Sequence, residues 1–291
     1  MRASESLFLE VRGLRYHVRH WKGSAGKRLF LLHGWMDVSA SFQFLVDALA
    51  RDWDVHAPDW RGYGLSAWSG ADSYWFPDYI ADLDFLLERI QPDAPVNLVG
   101  HSLGANVAGL YAGIRPERVA KFVNLEGFGM PATRPEQAPK RYARWMEELR
   151  VQPRLRPYTG YDELADRLQR NNPRLSRERA EFLAQHWGKE APEGGVVLRS
   201  DPAHKLVNAN LYRLDEARAC WERATAPVLW VDAAESETRT RMKLTAAELA
   251  ERRNAFRSVK YEMLRNAGHM LHHDQPEALA RLIEDFLAPL A

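Results

Sequence analysis

Ser102 stands at the centre of Gly100-His101-Ser102-Leu103-Gly104, with a glycine two residues away on either side. The pentapeptide follows an apolar run, Val96-Asn97-Leu98-Val99, and opens a helix-compatible run from Ala105 to Ile114. Strand, sharp turn and helix, in that order, are the setting in which a Gly-x-Ser-x-Gly turn lifts a serine hydroxyl clear of a sheet edge. Close approach requires both glycines, because a Cβ at either position meets adjoining backbone. The Leu103 N–H and the N-terminus of the following helix lie beside the hydroxyl, suited to an oxygen that gains negative charge when a carbonyl is attacked. Such a serine is a nucleophile, and it needs a base.

The chain has ten histidines. His269, in Asn266-Ala267-Gly268-His269-Met270, follows the last predicted strand and precedes the closing helix. Imidazole suits the task because it titrates near neutrality. The Ala-Gly before it makes a tight loop end that lets the ring swing over the sheet edge. His272 and His273 compete from the same loop. His17, His20 and His56 lie in or beside strands and read as structural, and the His101 side chain should point away from the nucleophile. A second loop matters. After Leu29-Phe30-Leu31-Leu32, Gly34 lets the backbone turn back across the sheet edge, which brings the Trp35 N–H towards Ser102. The segment Asp59 to Ser66 reads as a rigid supporting loop in which Arg61 and Asp59 pair.

These residues need a sheet to hold them. Short apolar runs alternate with amphipathic ones, the pattern of an α/β fold. Leu7 to Val11 and Arg15 to Trp21 predict a hairpin turning at Gly13. Leu29–Leu32, Trp53–Ala57, Val96–Val99, Val119–Leu125, Val228–Val231 and Val259–Leu264 predict six further strands. Phe76, Tyr79, Ile80, Leu83, Leu86, Leu87 and Ile90 recur at helical spacing, and Pro276 to Leu287 closes the chain as a helix. Between about 128 and 221 strand signals nearly vanish and prolines cluster. Amphipathic stretches at Lys140–Leu149, Tyr161–Gln169 and Arg177–Trp187 predict a helical insertion. The expected organisation is a core of 1–127 and 222–291 carrying a helical cap, 128–221.

At 291 residues, 46% hydrophobic and 27% charged, the chain has the balance of an ordinary globular protein. Its formal net charge of +1 gives no global field for nucleic acid or an anionic membrane. Basic residues do gather in the insertion: Arg134, Lys140, Arg141, Arg144, Arg150, Arg154 and Arg156. Interleaved with Glu136, Glu147 and Glu148, they read as solvated helix faces rather than an anion-attracting rim. A single cysteine, Cys220, excludes an internal disulfide framework and reads as a small core residue. With no apolar leader and no run long enough to span a membrane, the expectation is a cytoplasmic protein. No spaced set of histidines and acids suggests a zinc site, so neither metal nor organic cofactor is expected.

With these motifs in place, the chain resembles the α/β-hydrolase superfamily. His33-Gly34-Trp35-Met36-Asp37, the Gly100–Gly104 turn and Ala267-Gly268-His269 are similar to the serine hydrolase-like proteins and to capped bacterial carboxylesterases. The resemblance implies an eight-stranded, mostly parallel sheet with helices on both faces and a cap. It also implies an oxyanion hole from the Trp35 and Leu103 N–H groups. Family members usually carry the acid of the triad in a Gly-x-x-Asp turn after the strand Pro227–Val231. Here Ala233 and Ser236 hold the glycine and aspartate positions, and serine supplies no charge for the imidazolium. The superfamily's second address is the end of the strand after the elbow helix, where this chain has Glu126-Gly127. Glu126 is therefore the expected acid, with Glu235 as the alternative; Asp232 is nearby but out of register.

The expected reaction is hydrolysis of a hydrophobic carboxylic ester through an acyl-enzyme on Ser102, with His269 as base. A thioester, lactone or amide would use the same machinery. Phe128, Met130, Tyr142, Trp145, Met146, Tyr158 and Trp187 are candidates to line the acyl pocket, or else form the cap's own core. Epoxide hydrolysis and dehalogenation are disfavoured, since they need an aspartate where this elbow has serine. A C–C hydrolase, haloperoxidase or acyltransferase stays open, as does a non-catalytic ligand-binding homologue, kept alive by Ser236.

Overall fold

The computed structural model describes residues 1–24, 28–151 and 153–288. Strands β1 (Glu5–Val11) and β2 (Leu14–Trp21) form the predicted hairpin. There follow β3 (Arg28–Leu32), α1 (Gln43–Ala48), β4 (Asp54–Pro58), α2 (Phe76–Ile90), β5 (Val96–His101), α3 (Leu103–Ile114) and β6 (Val119–Leu125). The insertion contributes α4 (Ala138–Leu149), α5 (Tyr161–Asn171), α6 (Arg177–Trp187), β7 (Gly188–Glu190) and β8 (Val196–Leu198). The chain then returns through α7 (Leu214–Trp221), β9 (Val228–Ala233), α8 (Glu237–Arg241), α9 (Ala246–Asn254), β10 (Val259–Leu264), α10 (Leu271–Asp274) and α11 (Pro276–Leu287).

Eight strands make one sheet in the order β1-β2-β4-β3-β5-β6-β9-β10. β2 runs antiparallel to both neighbours, and every pairing from β4 to β10 is parallel. The continuous apolar runs follow from burial on both faces. Phe30, Leu32, Leu98, Phe122 and Trp230 point to one core beneath α2, α3 and α7. Leu29, Leu31, Val99, Val123 and Leu229 point to the other, packed on α1 and α11. The strand order turns outward in both directions from β3 and β5. That switch point is where open α/β sheets build sites, at the strands' carboxyl ends.

Two elements depart from the sequence reading. The insertion is not purely helical: β7 and β8 pair antiparallel, but at three residues each they are too short to leave a period in the sequence. Helix α7, assigned by sequence to the cap, packs on α3 of the core, so closely that a Cβ on Gly113 would strike the Cys220 carbonyl. Within the insertion, Leu164, Ala165, Leu168, Leu175, Ala180, Leu183, Ala184 and Val196 bury a small core that also takes in Phe44. Helix α4 buries none of its residues.

Candidate active site

Ser102 sits between β5 and α3 with φ 50° and ψ −112°, in the left-handed half of backbone space where a non-glycine residue costs about 1–3 kcal/mol. The turn is held by the Ser102 N–H, which donates to Leu125 O at 2.9 Å. A Cβ on Gly100 would collide with Ala105 backbone, and one on Gly104 with the Leu32 carbonyl. These contacts explain why the flanking residues are glycines.

The Ser102 hydroxyl lies 3.1 Å from His269 Nε2, and His269 Nδ1 lies 3.1 Å from Glu126 Oε2. An ionised carboxylate only accepts, so Nδ1 carries the proton and Nε2 accepts from the serine. Glu126 is 1% exposed and also adopts positive φ, 58°. Its Oε1 accepts from the Ala233 N–H at 2.7 Å, and its Oε2 accepts from the Ser236 hydroxyl as well as from His269. Ser236, at the position where the resemblance places the family's acid, thus donates a hydrogen bond to Glu126. Glu235 faces outward and pairs with Arg174. Asp232 is buried but belongs to Trp230, whose Nε1 donates to it at 2.7 Å, and to Arg253. Burial, and then the Glu126 charge, push its carboxyl above the ordinary range.

The other histidines sort by partner. His101 Nε2 donates to the His269 carbonyl at 2.8 Å, tying the elbow to the loop that carries His269. His272 and His273 lie buried behind that loop, with no contact to Ser102; burial holds His272 far below its usual value and His273 at about 3. His33 accepts from the Trp60 N–H, and burial brings it to about 4, so it is neutral. The supporting loop is wired differently from the sequence reading. Arg61 pairs with Asp82 at 2.6 Å, whereas Asp59 pairs with His17 at 2.7 Å and caps the Ser39 N–H. Asp82 comes from α2, and no local spacing signals that partner.

Across from Ser102 the β3 loop approaches closely: a Cβ on Gly34 would lie 3.3 Å from Ser102 Cβ. Among the described residues, the Trp35 and Leu103 N–H groups have no protein acceptor. Both residues, with Ser102, line a cavity of about 620 Å³. Its walls are chiefly aromatic and aliphatic: Tyr74, Trp75 and Tyr79 from the α2 region, Met130, and Tyr212.

Of the side chains expected to line an acyl pocket, Met130 does so. Phe128 does not; it is 1% exposed and packed in the core below, because the chain is still leaving the sheet there. Tyr142 lines a neighbouring groove with Trp75 and Pro135, and is 49% exposed. Trp145 and Met146 are outside the lining, Met146 half exposed on α4. Trp187 lies elsewhere, donating its indole N–H to Ser41 at 2.9 Å, and Tyr158 bridges to Val196. Sequence reasoning missed Tyr74, Tyr79, Asn106 and His204. Asn106 had a signal: it stands one helical turn beyond Ser102, hence on the same face. Its Oδ1 accepts from the Gly129 N–H at 2.8 Å.

Folding also gathers two sets of metal-type donors among the described residues, His20–Asp54–His56 and Asp37–His101–His272. In the first, Asp54 already accepts from His20, His56 and Arg28, the arrangement of an ion-pair network. The second lies buried behind the His269 loop.

Residues 27–276 match the family model described as alpha/beta hydrolase fold. The chain belongs to the alpha/beta hydrolase family. It is 29% identical over 277 residues to a serine hydrolase-like protein of Danio rerio, covering 92% of this chain and 84% of that one. Over 109 residues, 36% of this chain and 39% of the relative, it is 36% identical to a pimeloyl-[acyl-carrier protein] methyl ester esterase of Vibrio parahaemolyticus. Among solved structures it is similar to a thioesterase domain from the curacin biosynthetic pathway. That match has a TM-score of 0.87 at 25% identity and covers 97% of this chain and 99% of that one. An alpha/beta hydrolase with esterase and thioesterase neighbours supports hydrolase chemistry. No helix among the described residues is long and apolar enough to cross a membrane.

Proposed function

We propose that this alpha/beta hydrolase is a serine esterase that cleaves a hydrophobic carboxylic ester through an acyl-enzyme. The observation that carries the reading is the hydrogen-bonded chain Ser102–His269–Glu126 opening onto an aromatic cavity. Ser102 Oγ attacks the ester carbonyl while His269 Nε2 takes its proton. Glu126 holds the Nδ1–H tautomer and stabilises the imidazolium. The Leu103 and Trp35 N–H groups receive the oxyanion of the tetrahedral intermediate. Its collapse expels the alcohol, which takes the proton from His269. Water then attacks the acyl-enzyme with His269 as base, releasing the acid and restoring Ser102. The helical insertion acts as the cap that shapes the acyl site.

Fluorophosphonate labelling of the purified protein, read by intact mass and peptide mapping, tests this directly. A single adduct on Ser102, absent from Ser102→Ala and from His269→Ala, is expected. A wild-type protein that stays unlabelled while folded would remove the esterase reading and leave a ligand-binding hydrolase fold.

A further inference from the structure

The seven basic residues between positions 134 and 156 look alike in the sequence, but their surroundings differ. Arg144 is tied to Glu148 at 2.6 Å, and Arg156 to Glu163 at 3.2 Å. Arg141 is half-buried on α4 and lines the cavity that holds Ser102, beside Gln137 of the adjoining turn. Among the described residues it makes no hydrogen bond and no ion pair; the acid that feels its charge, Glu148, is engaged by Arg144 and by the Val207 N–H. Among the described residues, no aspartate or glutamate lines that cavity, and Arg141 is its one charged residue. His204 adds no charge, because burial brings it to about 3.

A guanidinium bonded to no protein carboxylate, on the wall of a largely apolar cavity, has a chemical preference. A neutral apolar substrate strips water from it and offers nothing in return. A carboxylate or similar oxyanion accepts its fork of N–H groups in a bidentate pair, the strong form of charged hydrogen bond. Gln137 and Asn210 of this wall bring amide N–H donors and no negative charge, whereas the Thr133 hydroxyl is already given to the Tyr212 carbonyl at 2.6 Å.

We propose that Arg141 is a specificity-determining residue, and that the substrate of this cavity is an ester carrying an anionic group, carboxylate-like, held by Arg141 while its ester carbonyl lies at Ser102. The turnover part of this proposal rests on the esterase reading; the binding part does not.

Two matched pairs of esters test it. In one pair an anionic and a neutral member differ only at the far end of the acyl chain; in the other they differ only in the alcohol. Chain lengths should span the cavity. In the wild type, kcat/KM for the anionic member of one pair should exceed that of its neutral partner by about tenfold to a hundredfold, the range expected of a hydrogen bond to a charged group. The pair that shows the preference identifies which half of the substrate bears the anion. Arg141→Gln should bring that ratio close to one, Arg141→Lys should retain part of it, and added salt should lower it in the wild type. Calorimetry of the same esters on Ser102→Ala repeats the comparison without turnover, so a failed esterase reading does not hide the answer. Equal binding of both members in both pairs, or a preference that survives Arg141→Gln, overturns the proposal.

Discussion

The carboxyl edge of the sheet and helix α4 face one cavity and are built on opposite terms. At the sheet edge, Glu126 is 1% exposed and its carboxylate accepts from a main-chain N–H, a hydroxyl and an imidazole. Ser102 and Glu126 are both held in costly backbone conformations by the strands around them. Helix α4 buries nothing, although α5 and α6 of the same insertion share a core with Phe44. The contrast teaches where precision is needed. Groups that exchange a proton must be fixed to a fraction of an ångström by a packed frame, whereas a wall that reads substrates can sit on a helix with little of its own to bury.

The largest effect expected from attacking this contrast lies at the sheet edge. Glu126→Gln should lower kcat about 10⁴-fold, because an amide can turn its N–H towards His269 and favour the wrong tautomer. Glu235→Gln should leave kcat near the wild-type value. The reverse outcome in steady-state kinetics would move the acid to Glu235.

Within the insertion, Leu183→Ala on α6 should cost about 2–5 kcal/mol in urea unfolding, the range for removing a buried leucine side chain. A loss no greater than that of an exposed substitution would mean the α5–α6 core does not hold the insertion together. Next in size is a pH effect on the frame. Burial brings His33 to about 4 and His204 and His273 to about 3, each from an ordinary 6.5. Groups depressed in this way give stability that is present above pH 6.5 and is lost as the pH falls towards 4. Asp37 works in the opposite sense. Burial raises it to about 7 from 3.8, so its share is present below 3.8 and is lost as the pH rises through 7. Three histidines outweigh one carboxylate, and thermal melts should show the midpoint dropping once the pH passes below 6.5. A flat profile down to pH 4 would contradict the neutral burial of these rings. The smallest change is expected on α4: Met146→Ala, half exposed, should stay within about 0.5 kcal/mol of wild type. A larger loss by the same unfolding assay would show that α4 is packed after all.

What the sequence made legible follows the same divide. Ser102 and His269 announce themselves through glycines at tight turns, and the inner strands β3, β4, β5, β6 and β9 through apolar runs buried on both faces. Glu126 could be read only because Ser236 carries no charge at the usual position. The cavity walls were mostly illegible. Tyr74 and Trp75 come from the irregular approach to α2, and His204 from a single turn between β8 and α7, segments with no periodicity to betray a facing. Phe128 and Trp187 misled for the complementary reason. An aromatic side chain in an insertion is as readily turned down onto the sheet or into its own packing as towards a ligand, and only the tertiary path of the chain decides which.

The hydrogen bond from Ser236 to Glu126 bears on how such an enzyme can change over generations. An aspartate at 236 would set a second carboxylate against the first, and two like charges at that separation force one of them to take up a proton. With Glu126 intact, Ser236→Asp should therefore be harmful; with Glu126→Gln already present, it should restore part of the lost rate. On the esterase reading the two positions for the acid exclude one another, so moving the acid from 126 to 236 takes a pair of substitutions rather than either one alone.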